Sequence, residues 1–132
     1  MRFSALFAAL LLLDADLAFD PDVRSAFLAM MKDTRYGFSH MEEAGFVIRR
    51  STGELDFERW PSTGVPDTAF WIGEFPRGTI AIAHTHPNTM PLPSNLDAAT
   101  ARKTHIPVYV VTPRAIVKTR GASPEVVVRG DW

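Results

Sequence analysis

From Glu43 to Gly130 the chain passes through a series of short apolar runs, each of strand length and each bounded by turn residues. EAGFVIRR and LDFERW flank the turn signal Ser51-Thr52-Gly53 as a hairpin. TAFWIGEF and GTIAIAHTHP read as two further strands, the second with Ile80 and Ile82 alternating against Ala81 and Ala83. IPVYVVT, AIVKT and EVVVRG complete the series. Only two stretches carry a helical pattern. PDVRSAFLAMMKDTR places Val23, Phe27, Met30 and Met31 on one face, with Asp20 positioned to cap and Pro21 at the first helical position, and its Met pair reads as core filler. SNLDAATARKTH reads as a shorter helix opened by Ser94. Strands interleaved with a few helices predict an α/β or α+β chain, a mixed sheet flanked by helices.

At 132 residues the chain is one domain's worth, and a domain of that size buries about two-thirds of its unfolded surface. With 46% apolar and 22% charged residues it is not disordered as a whole. A net charge of −1 supplies no field for binding nucleic acid. The absence of cysteine excludes disulfide scaffolds, thiolate-ligated zinc, iron–sulfur clusters and cysteine nucleophiles, so any metal must be held by His, Asp or Glu. The N-terminal stretch has one cation, Arg2, before an apolar run from Phe3 to Leu13. That run has the length of a signal peptide and is too short to span a bilayer, which takes about 20 residues, so stable membrane insertion is not expected. Residues 1–19 read either as an export signal, giving a periplasmic or secreted protein, or as a buried first element of a cytoplasmic one. The domain proper runs from 20 to 132.

The chemistry concentrates in His84-Thr85-His86-Pro87 and, after a proline-rich loop, Ser94-Asn95-Leu96-Asp97. Side chains at i and i+2 of a strand share a face, so His84 and His86 project together and can converge on one metal ion. Catalytic zinc uses three protein ligands and keeps a position for water, and Asp97, in the first turn of the next helix, is the third. Each part also has an ordinary explanation. Histidines at a strand end are commonly polar surface, and Ser94 with Asp97 is the pattern of a helix capping box.

The unbroken pattern H-x-H-P-x(6)-S-x-x-D, with Glu42-Glu43-Ala44-Gly45 upstream and apolar strand residues after it, resembles the JAMM motif of the MPN/JAB metallopeptidases, in their compact bacterial form. The resemblance runs from about Pro21 to Thr119 and implies the MPN/JAB fold, a cytidine-deaminase-like curved mixed sheet with a few helices. It implies zinc on His84, His86 and Asp97, and a metal-activated water that attacks a peptide or isopeptide bond. Glu42 would be the general base and Ser94 the donor that steadies the oxyanion. Glu43 is the rival to Glu42, but strand alternation turns Glu43 to the opposite face. The substrate implied is a peptide or protein. The chain carries no long insertion and no second metal cluster of the kind found in the ubiquitin-specific members.

Other metal enzymes fit less well. The zincin pattern H-E-x-x-H is absent, zinc deaminases need cysteines, and amidohydrolase barrels need about 250 residues. The alternative is a catalytically silent MPN-type module that binds protein. Specificity is expected in the loops 62–68 and 88–93. His40 and His105 read as surface or turn residues, and Trp60, Phe70 and Trp71 as sheet packing or groove lining.

Overall fold

In the computed structural model, which describes residues 15–130 and Trp132, six strands form one sheet in the order β2-β1-β3-β4-β5-β6. The strands are β1 (Ala44–Arg49), β2 (Leu55–Arg59), β3 (Thr79–Thr85), β4 (Val108–Thr112), β5 (Ala115–Thr119) and β6 (Glu125–Arg129). Among the described residues two α-helices accompany them, α1 (Pro21–Asp33) and α2 (Asn95–Thr104), making a mixed α/β protein. Four neighbouring pairs are antiparallel, whereas β3 and β4 run parallel and are joined by α2 as the crossover. The apolar run Phe3 to Leu13, with its two readings, lies outside the described residues. Among the described residues no helix is long and apolar enough to cross a membrane.

The α1 start is as its sequence predicts. The Asp20 carboxylate accepts the Asp22 and Val23 amides at 3.1 Å, and Pro21 opens the helix. Its buried face, Val23, Phe27, Met30 and Met31, packs on Val47, Ala81, Ala83, Tyr109, Val111 and Ile116 from one side of the sheet. The other side carries Phe46, Ile82 and Val108, covered by Ala101 of α2 and by Trp60 and Trp71. Period-two alternation in β1 and β3 thus feeds two cores.

The stretch TAFWIGEF corrects one expectation, for it contains no strand. Both edges of β1 are already occupied, by β2 and β3, so no ladder is open to it beside β1. Gly73, at φ +110°, turns the chain, and Trp71 and Phe75 fold onto Phe46 with ring centroids 5.0 and 4.9 Å away. The apolar periodicity reflects an aromatic cluster.

The described chain begins with a single 3-10 turn, Leu17–Phe19, whose Ala18 is fully buried. Ahead of it, the Asp16 carboxylate accepts the Ala18 amide at 2.9 Å, the Tyr109 hydroxyl at 2.9 Å and the Lys118 ammonium at 2.6 Å. A chain cut after Ala18 would lose all of these contacts. Burial raises the Asp16 pKa, but the three donors outweigh it and hold the carboxyl below its ordinary value, while burial and then the Asp16 charge push the Tyr109 hydroxyl well above its own. A depressed carboxylate pKa stabilises the fold above the unfolded value and ceases to do so as pH falls through the folded one. Asp16→Asn is therefore expected to cost about 1–3 kcal/mol at pH 7. The gap from wild type should close as pH drops below 3.8, which urea unfolding between pH 2 and 7 will measure. A gap that stays constant across that range would rule the linkage out.

Candidate metal centre

The centre forms where β3 leaves the sheet. His84 is the last residue of β3 paired with β1, opposite Ala44, so Glu42, two residues ahead of Ala44, reaches the same face. Glu42, His84 and His86 offer ligand atoms that all lie within 4.8 Å of one another, a group able to hold a metal ion. The imidazoles of His84 and His86 stand edge to face with centroids 4.6 Å apart.

The proline-rich loop then returns the chain to α2, and Asp97 meets both histidines. Its Oδ1 is 2.7 Å from His84 Nε2 and its Oδ2 is 3.4 Å from His86 Nε2. The same carboxylate accepts the Ser94 amide at 2.8 Å, while the Ser94 hydroxyl accepts the Asp97 amide at 3.1 Å. The capping box is thus real, and it also fixes the carboxylate against the histidines. The two explanations of Ser94 and Asp97 coincide. As a cap, the Ser94 oxygen uses a lone pair and keeps its own proton to donate.

The residues suit a metal. His86 Nδ1 lies 2.9 Å from the Met90 carbonyl, which only accepts, so Nδ1 carries a proton and Nε2 is the ring nitrogen left facing Asp97. His84 Nε2 is buried and has no hydrogen-bond partner, because the Asp97 oxygen beside it lies off the ring N–H direction. A cation between Nε2 and Asp97 would satisfy it. The other ring nitrogen of His84 is 3.5 Å from Glu42 Oε2. Burial disfavours the charged imidazole, yet the two carboxylates outweigh burial and push its pKa up to about 9. Burial likewise raises Asp97, but His84, His86 and the Ser94 amide hold it far below the usual carboxylate range. Without a metal, the His84 proton balances the acids, and a metal ion would displace it.

Glu43 faces elsewhere. Its carboxylate pairs with Arg59 at 3.0 Å and accepts the Ser62 hydroxyl at 2.9 Å, and Arg59 also holds Asp33 at 3.1 Å. His40 is exposed against Asp67, 3.7 Å away, and His105 caps the C-terminus of α2 at φ +61°, both outside the centre. Trp60 and Trp71 pack on Phe46, whereas Phe70 is exposed.

Two supports of the centre were not visible in the sequence. One is the Met90 carbonyl, a backbone group any residue would supply. The other is Gly37, at φ +84°, where a Cβ would fall 2.5 Å from Asn88 Oδ1. Its carbonyl accepts the Asn88 amide at 3.1 Å, which lets the loop before Glu42 press against the segment after His86. Large apolar side chains stand exposed on these segments: Phe38, Met90, Leu92 and Leu96 are each more than half accessible. A cleft of about 900 Å³ opens instead at the opposite end of the sheet, among Arg49, His105 and Lys118. No family model, curated protein or solved structure matches this chain.

Proposed function

We propose that the protein is a zinc metallopeptidase of the JAMM type, on an MPN/JAB fold, that hydrolyses a peptide or isopeptide bond. The observation that carries this reading is the convergence of Glu42, His84, His86 and Asp97, with His86 Nε2 and His84 Nε2 both facing the Asp97 carboxylate. His84, His86 and Asp97 would hold the ion, and a zinc ion so held polarises a carbonyl and lowers the pKa of water toward ~7. Glu42, within reach of both histidines, takes the proton of the attacking water and delivers it to the leaving amine. The Ser94 hydroxyl, beside Asp97, donates to the oxygen that gains charge. Apolar side chains exposed around the centre suit a polypeptide with large apolar residues near the scissile bond.

Elemental analysis of chelator-free protein tests the reading directly. About one zinc per chain is expected, lost in His86→Ala, as a site with three protein ligands requires. Absence of zinc, with none taken up on addition, would sink the peptidase assignment and leave a protein-binding module.

A further inference from the structure

The residue between the two histidines has no part in the chemistry above, and its bonds are unusual for a strand end. The β1–β3 ladder pairs residues down to Ala44 and His84. One step further, a regular antiparallel pair would exchange two backbone bonds between Glu43 and Thr85. One is present: the Thr85 amide donates to the Glu43 carbonyl at 2.9 Å. In place of the other, the Glu43 amide donates to the Thr85 side-chain hydroxyl at 3.0 Å. The hydroxyl stands in for a backbone carbonyl. Thr85 is 1% exposed, and its side chain leaves the strand on the face opposite His84 and His86, so it can contact no substrate.

We propose that Thr85 is a positioning residue that acts through the Glu43 backbone to hold the Glu42 carboxylate in register with His84 and with the attacking water. The inference rests on the peptidase reading. Both bonds that clamp Glu43 to β3 end on Thr85, and Glu42 is the next residue. Its carboxylate lies 3.5 Å from His84, the immediate neighbour of Thr85 on the other side of the clamp. Swinging this backbone by about 1 Å would carry the proton acceptor out of line, a misplacement that typically costs about 100-fold in rate. The metal ligands are set by β3 and α2 and would stay where they are.

The test compares Thr85→Val, which keeps shape and strand preference but removes the acceptor, with Thr85→Ser, which restores the hydroxyl. Full-length proteins loaded with zinc are assayed on a peptide that wild type cleaves from a random decapeptide library. Thr85→Val is expected to retain zinc and KM, to lose about 100-fold in kcat, and to exchange its Glu43 amide hydrogen about tenfold faster. Thr85→Ser should restore kcat and the slow exchange together. The proposal is overturned if Thr85→Val speeds Glu43 exchange without lowering kcat, if it loses zinc or protection across β3, or if serine fails to rescue. Should wild type bind zinc but cleave no library peptide, the peptidase reading falls. The nuclear Overhauser contact between Glu42 and the His84 ring then decides the positioning role: lost in Thr85→Val and kept in Thr85→Ser supports it, kept in both overturns it.

Discussion

Glu42→Gln is expected to leave about one zinc per chain in place and to lower hydrolysis by about 100- to 10,000-fold, the usual worth of a general base. Glutamine keeps the size of the side chain and can still contact His84, but it cannot accept the proton of the attacking water. Asp97→Asn should behave in the opposite sense. Asparagine can still take the Ser94 amide as a cap, so α2 survives, while the charge that both histidines face is gone. Zinc affinity should then fall by more than the 10–100-fold seen when only an outer partner of a ligand is removed. Metal analysis beside peptide cleavage separates the two variants. If Glu42→Gln sheds zinc while Asp97→Asn keeps it, Glu42 is the third ligand, and the two carboxylates exchange roles. Glu43→Gln serves as control, since that carboxylate is engaged with Arg59 and Ser62.

Gly45→Ala is expected to destabilise the fold by about 3 kcal/mol, at the upper end for overpacking. A Cβ there would meet the Phe57 ring at 2.4 Å and the Glu58 carbonyl at 2.6 Å. The Phe57 ring, partly buried on the edge strand, packs edge to face on Phe27 of the α1 core, 5.9 Å between centroids, which limits its room to withdraw. Gly53→Ala, in the exposed hairpin turn, meets no atom within 4 Å and strains only the backbone at φ +90°, which should cost about 1 kcal/mol. Urea unfolding of the two variants gives the comparison. Equal losses would show that the Phe57 contact yields easily and that Gly45 is not needed for packing.

Much of the centre was legible because its geometry is short-range. The i, i+2 spacing of His84 and His86 fixes a shared face, and a serine three residues before an acid announces a cap whose first turn points back toward the strand it follows. The strands and helices were legible where one period dominated, as in α1 and β3. TAFWIGEF misled because aromatic side chains satisfy a strand pattern and a packed cluster equally well, and only the pairing of β1 on both sides decides between them. Gly45 could be seen as a glycine within a strand, but its reason, Phe57 lying across it, depends on hairpin register. The Met90 carbonyl that sets the His86 tautomer carries no sequence mark, since every residue has one.

Among the described residues β3 with β4 is the one parallel pair, and the strand directions give the sheet two distinct ends. Glu42, the histidines and the start of α2 share one end, while the β1–β2 turn at 51–53 and the β5–β6 turn at 122–124 sit at the other, exposed. The seven residues of β3 put about 20 Å between them. Because the chain has no cysteine, Thr52→Cys or Ser123→Cys would create a unique thiol for a dye or a surface tether, too far from the histidines of its own molecule to compete for their metal.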